Sequence, residues 1–303
     1  MEWSVGNSTE QLVREFKNFE DIARGIMPRP GSIPSLEGLD VYGEVLPLNG
    51  IVGGDHLIYV DFKKRHDLDA RIKVAEEAGR PDIVANLERC RRMAAVALID
   101  VAGHQATDAL LAAMFHQAFL LGVMYELDIS GHVTRRLFEN LNQRFHRTSR
   151  VNKFITAIYG EISEDANFRF LLAAHPPPVV FSAANDRFMD VDPEKCISFP
   201  PIGTLPSASV VDWHRTTSVL GFKQRYEVNN WTLMGNGDIL LLYTDGLQDH
   251  GRGSEAYFPG RLEHTIRRSK HLSAVDIVHT VLDDVRTFAN PTDDVSLVVI
   301  KKH

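Results

Sequence analysis

The seven residues from Met93 to Ile99 form an unbroken apolar run that stops on Asp100. A strand that is apolar at every position has no face to give to water, so this one is predicted to be buried on both sides. Around it the patterning switches between periods of two and 3.6. Strands are expected at Leu39–Val45, Leu57–Phe62, Phe154–Ile162, Phe168–Ala173, Val179–Ser182, Ile239–Tyr243 and Val295–Ile300. A helix apolar almost all round is expected from Ala106 to Tyr125, with further helices at Val133–Phe145 and Ala274–Phe288. The stretch from Pro200 to Asn236 fits no regular pattern. Strands in clusters and helices in clusters indicate an α+β fold, and no internal repeat interrupts it.

Composition narrows the function. The chain has 303 residues with 33 basic and 40 acidic side chains, a net charge of −7. That balance argues against a partner that is nucleic acid, because phosphate binding draws on a basic surplus. The two cysteines, Cys90 and Cys196, have no neighbours at disulfide or zinc spacing, which suits a reducing, cytoplasmic setting. No basic start precedes an apolar core at Met1, and no run approaches 18 apolar residues, so neither secretion nor a membrane span is expected.

The residues with chemical potential are aspartates at strand ends. Asp55 sits before Leu57, Asp100 ends the central run, Asp245 follows Ile239–Thr244, and Asp293 and Asp294 precede Val295. Asp is common in turns, so each alone carries little weight. Gathered at one sheet edge, such carboxylates would repel one another, and a hard divalent cation would remove the conflict. Gly53, Gly54, Gly103 and Gly246 beside them permit close backbone approach.

Five segments in order, Val52-Gly53-Gly54-Asp55, Asp100-Val101-Ala102-Gly103-His104, Ala174-His175-Pro176-Pro177-Pro178, Leu242-Tyr243-Thr244-Asp245-Gly246 and Asp293-Asp294-Val295-Ser296, give the chain a family likeness. From about Leu39 to the C-terminus it resembles the metal-dependent protein phosphatases (PPM), and within them the bacterial branch typified by the stage II sporulation protein E and the sigma-factor partner-switching phosphatases. The resemblance implies a four-layer α-β-β-α sandwich of two antiparallel sheets flanked by helices. It implies two divalent cations, Mn²⁺ or Mg²⁺, at one edge. Asp100 would bridge them with the Val101 carbonyl on one, Asp245 and Asp293 would hold the other, and Asp55 would reach their waters. Asp294 matches a supporting position or a ligand, and both readings stay open. Gly54, Gly103, His104 and Gly246 would shape the loops. The reaction implied is hydrolysis of phosphoserine or phosphothreonine on a signalling protein of the anti-sigma-factor-antagonist type, by in-line attack of an activated water. Ala102, Gln105 and Ala174 depart from the family pattern, and His104 is not at the spacing of the general acid proposed in eukaryotic relatives. The rival reading is a phosphatase-like module that binds a partner without turnover.

Two attachments complete the expected organisation, a phosphatase domain over 39–303. Residues 1–38 hold a helix opened by a Ser8–Gln11 capping box, with Leu12, Phe16, Phe19, Ala23 and Ile26 along one seam and Pro28 and Pro30 ending it. It either packs on its own domain or serves as a regulatory helix for an activator or a homodimer. Residues 63–92 are expected to form a helical insertion of two short helices, with nine basic and six acidic residues. That insertion is either a solvated face or a docking surface through Arg89, Arg91 and Arg92.

Overall fold

The central strand, β3, runs over Met93–Val101, so Asp100 lies inside it and not at its end. Its side chains divide by parity, as a pleated strand requires. Ala94, Val96 and Leu98 enter one buried cluster, and Ala95, Ala97, Ile99 and Val101 enter another. Both faces are apolar because a second sheet covers one and helices cover the other.

The computed structural model describes residues 5–28, 32–49, 53–103, 106–148, 153–190, 196–211, 213–215, 217–232 and 234–303. The chain runs α1 (Val5–Arg24), β1 (Leu39–Leu46), β2 (His56–Asp61), α2 (Phe62–Arg65), α3 (Leu68–Glu77), α4 (Pro81–Cys90), β3, α5 (Ala106–Ser130), α6 (Arg135–Thr148), β4 (Ile155–Ser163), β5 (Phe168–Ala173), β6 (Val179–Ser182) and β7 (Arg187–Phe188). It continues with β8 (Asn229–Trp231), β9 (Ile239–Tyr243), α7 (Asp245–Gln248), the small hairpin β10 (Gly251–Arg252) and β11 (Glu255–Ala256), α8 (Gly260–Ser269), α9 (Ala274–Phe288) and β12 (Val295–Lys302).

One sheet has the order β2-β3-β4-β5-β8 and the other β1-β12-β9-β6-β7, with antiparallel pairing throughout. Three buried clusters lie between four layers. One joins α2–α6 to the outer face of the first sheet, one fills the space between the sheets, and one joins α7–α9 to the outer face of the second. The expected α-β-β-α sandwich is therefore the observed fold.

Several local expectations are corrected. α1 begins by Val5, ahead of the capping box read at Ser8. Phe62 opens α2 and does not extend β2, because the Asp61 carboxylate accepts from Lys64 N at 3.1 Å and caps the turn. The insertion has three helices, α2–α4, in place of the two expected; its charged side chains are mostly exposed, and Leu68, Ile72, Ala75, Ile83, Leu87 and Cys90 are buried against β3 and its neighbours. Some of its charges pair with one another or with nearby elements. Arg71 meets Asp128 at 2.7 Å, Arg91 meets Asp69 at 2.6 Å and Glu88 at 2.7 Å, and Arg92 meets Glu164 at 2.7 Å.

α5 contains a stretch, Thr107–Ser130, long and apolar enough by length and composition to cross a membrane, although polar residues interrupt it. A core helix passes the same test, and one face of α5, with Phe115, Phe119, Val123 and Leu127, is packed into the cluster beneath β3.

Candidate metal centre

The parity that sorts the core also aims the site. Asp55 continues the inward-facing series of Leu57 and Tyr59 on β2, and Asp100 continues that of Leu98 on β3. His56 is registered opposite Ile99, which puts the two aspartates side by side at one sheet edge. On the other sheet Thr244 continues Leu240 and Leu242, and Asp294 and Ser296 continue Val298 and Ile300. Inward-facing ends from both sheets thus meet over the same edge of the sandwich.

Asp55 is 5% exposed, and one of its oxygens, Oδ2, accepts from Thr244 Oγ1 at 2.8 Å and Ser296 Oγ at 2.7 Å. Burial and then the Asp100 carboxylate push Asp55 well above the usual carboxylate range, while the two hydroxyls pull it down. Asp100 is pushed up to about 7 by burial, then by Asp245, Asp293, Asp294 and Asp108. Asp245 is raised by burial, then by Asp293 and Asp249, and the Gly246 amide lowers it. These shifts record burial first and carboxylate repulsion second, and they place Asp55, Asp100, Asp245 and Asp293 within one electrostatic neighbourhood.

Asp294 is used differently. Its Oδ1 accepts from Leu48 N at 2.7 Å, and its Oδ2 accepts from Gly54 N at 2.7 Å and from Asp55 N at 3.4 Å. Three backbone donors on the segment before β2 tie that segment to the start of β12. Both Asp294 oxygens are thus taken up by backbone donors, and its neighbour Asp293 is exposed.

Two glycines are required by close approach. A Cβ on Gly54 would stand 2.3 Å from the Gly103 carbonyl oxygen and 2.6 Å from that of Val101, so only Gly lets the loop before Asp55 lie on the loop after Asp100. A Cβ on Gly246 would stand 1.9 Å from the Asp294 carbonyl oxygen.

The loop after Asp100 is held by an ion pair that sequence reasoning missed. Lys153 Nζ donates to the Ala102 carbonyl at 2.7 Å and meets Asp108 at 2.8 Å, and Asp108 is fully buried. No local pattern links a residue before β4 to one in the first turn of α5. Thr244 and Ser296, by contrast, stand inside two of the quoted segments, and the period of two could have assigned them. His175 is buried, its Nδ1 lies 2.9 Å from Thr156 Oγ1, and burial pushes its pKa to about 3, which keeps the ring neutral. Thr156 is registered opposite Asp100, so His175 braces the strand beside it. His104 lies outside the described residues.

Among the described residues no three acidic, histidine or cysteine side chains are drawn together tightly enough to hold an ion as they stand. The fold brings the carboxylates within electrostatic reach of one another, short of ligating distance. Their chemistry nonetheless fits a hard divalent cation: all donors are oxygens, and the raised pKa values are a repulsion that a cation would relieve.

Comparison with known proteins agrees with this architecture. The family model for stage II sporulation protein E (SpoIIE) matches residues 91–303. A search of curated proteins finds no match. Among solved structures, the RsbU and RsbW domains of a Mycobacterium tuberculosis protein are 18% identical with a TM-score of 0.57, over 91% of this chain and 64% of that one. The SiaA-PP2C domain of Pseudomonas aeruginosa is 13% identical with a TM-score of 0.66, over 98% of this chain and 99% of that one. The PP2C phosphatase domain with a fragment of the regulatory domain of SpoIIE from Bacillus subtilis is 17% identical with a TM-score of 0.57, over 87% of this chain and 63% of that one. The chain thus spans a little under two thirds of the first and third of these, and nearly all of the second.

Proposed function

The chain belongs to the stage II sporulation protein E family, and on that premise we propose that it is a cytoplasmic protein phosphatase, dependent on Mn²⁺ or Mg²⁺, that hydrolyses phosphoserine or phosphothreonine on a small signalling protein of the anti-sigma-factor-antagonist type. The observation that carries the reading is the grouping of Asp55, Asp100, Asp245 and Asp293 in one electrostatic neighbourhood, where, behind burial, Asp100 raises Asp55 and Asp245 and Asp293 raise Asp100. In this reading residues 39–303 form the catalytic domain, α2–α4 are its insertion, and residues 1–38 are a regulatory attachment.

Asp100 would hold both cations, with the Val101 carbonyl beside it, Asp245 and Asp293 would hold the second, and Asp55 would hold their waters. Bound there, two divalent cations supply charge neutralisation for the phosphoryl oxygens and activate water for in-line attack. The chain's own groups prepare that step. Thr244 and Ser296 fix the Asp55 carboxylate by two hydroxyl donors, and Asp294 fixes the backbone that carries it. Lys153 and Asp108 fix the Ala102 carbonyl, and with it the turn that presents Val101.

α1 supports a regulatory role. Leu12 is 69% exposed and Phe16 51%, whereas Ala23, at the far end of the same seam, is 5% exposed. Ala23, Ile26 and Met27 line a small cavity together with Gly53, Asp55 and His56, so the helix is anchored beside the carboxylates and offers its other end to an activator or a second copy.

The test is hydrolysis of p-nitrophenyl phosphate with and without Mn²⁺. Wild type is expected to turn over only with the cation, and Asp100→Asn to lose at least a hundredfold in rate. Full metal-dependent activity in Asp100→Asn would sink the site assignment. An inert wild type, after an activator has been supplied, would favour the binding module.

A further inference from the structure

Beyond Ala173 the place of β5 beside β4 passes to another stretch of chain. Phe199 bridges Ala173, and Ile202 then pairs with Ile155 through two backbone hydrogen bonds. Ile155 N donates to Ile202 O at 3.1 Å, and Ile202 N donates to Ile155 O at 2.8 Å. On its other side Ile155 is registered opposite Val101. The stretch therefore joins the sheet at the aspartate edge, one strand removed from Val101.

A fully buried side chain of α6, Asn142, fastens it there. Its Oδ1 accepts from Gly203 N at 3.0 Å and from Lys223 Nζ at 3.3 Å. Its Nδ2 donates to Leu205 O at 2.8 Å and to Ser207 Oγ at 2.7 Å. Lys223 closes the network from the far end of the same segment, where its N donates to Pro206 O at 2.8 Å and its carbonyl accepts from Ala208 N at 3.2 Å.

The Lys223 side chain is out of place by burial alone. It is 1% exposed, and Nζ also donates to Tyr226 Oη and lies 4.2 Å from the centroid of that ring. Glu139, the buried carboxylate of the adjoining face of α6, pairs with Arg225 at 3.8 Å. Burial pushes the Lys223 amine down to about 7. Taking an ammonium out of water without a carboxylate beside it costs stability, and an apolar side chain of similar length would fill the space more cheaply. What the amine adds is a directed donor for Asn142.

We propose that Lys223 is a positioning residue for the aspartate edge: by donating to Asn142 it holds Gly203 and Ile202 against β4, and through Ile155 it sets the end of β3 that carries Val101. The inference deepens the phosphatase reading and rests on it. A side chain that merely filled the core would leave turnover untouched once the protein is folded.

The test is Lys223→Met, which keeps an unbranched stem and removes the donor, beside Lys223→Gln, which keeps an N–H donor on a shorter stem. In hydrogen exchange of the full chain without metal, the Ile202 and Gly203 amides are expected to exchange at least tenfold faster in Lys223→Met than in wild type. The Leu240 and Leu241 amides of β9 are expected to be unchanged, and Lys223→Gln to fall between wild type and Lys223→Met. With p-nitrophenyl phosphate and Mn²⁺, kcat of Lys223→Met is expected to fall at least fivefold with KM within twofold of wild type, because the residue acts on the edge and not on the substrate. Unchanged exchange at Ile202 and Gly203, or an unchanged kcat, would overturn the proposal. If Lys223→Met does not fold, Lys223→Gln is held to the same two criteria. A wild type inert with Mn²⁺ would sink the phosphatase reading instead, and the exchange rates, which need no turnover, still decide whether Lys223 holds the segment.

Discussion

At Asp55 burial and repulsion oppose two hydrogen bonds, and the balance is testable. Ser296→Ala removes one hydroxyl donor from a carboxylate that is already out of water, a loss of about 1–3 kcal/mol. Urea unfolding at neutral pH is expected to show that loss, and no change in midpoint would mean that the hydroxyl contributes nothing. Asp100 gives a pH signature. It keeps its proton up to about pH 7 in the folded chain and releases it near its ordinary value of 3.8 when unfolded. Between those limits the folded state binds more protons, so stability falls as pH rises from about 4 to 7. A divalent cation takes over the role of the proton. The rise in melting temperature on adding Mn²⁺ is therefore expected to be larger at pH 7.5 than at 5.5, and an equal rise at both would contradict the assignment. Lys153→Met removes the ion pair to the fully buried Asp108, and urea unfolding is expected to show a loss of about 3 kcal/mol. The same variant is expected to weaken Mn²⁺ binding in calorimetry, because the Ala102 turn loses its tether.

At the level of elements, legibility followed periodicity. β5, β6, β9 and α9 lie where the pattern placed them, residue for residue, because each is either apolar throughout or has a clear buried stripe. α8 was missed: ten residues long, it places Leu262, Thr265, Ile266 and Ser269 inward, and half of that stripe is polar. α4 is amphipathic: Asp82, Glu88 and Arg89 are exposed, and Ile83, Leu87 and Cys90 are buried. Leu87→Ala, at a fully buried position, is expected to cost about 2–5 kcal/mol in denaturant unfolding, and a cost near zero would contradict the packing of α4 on the core. α1 offers the reverse experiment. Phe16→Glu alters a half-exposed position, so thermal stability should stay within about 0.5 kcal/mol of wild type. Oligomeric state by light scattering, or the response to an activator, is the property expected to change, and no change in either would assign α1 to its own domain.

On the scale of the whole molecule, the sandwich turns two unremarkable facts into a site. Aspartates stand at or beside strand ends because turns follow there, and inward and outward side chains alternate because strands are pleated. Stacking two sheets with their inward faces together makes those end residues share one edge. The sequence by itself determined the class of fold, since apolar runs and helical stripes are local and additive, and it determined which aspartates were candidates. It also carried the family, because five ordered segments survive in one dimension. Only the tertiary structure decided that Asp294 ties down backbone through three amides, that Thr244 and Ser296 hold Asp55, and that Lys153 and Asp108 clamp the Ala102 turn. The physical reason is range: hydrogen bonds and ion pairs act over a few ångströms between residues up to 246 positions apart, and no local pattern encodes which distant partner the fold will bring.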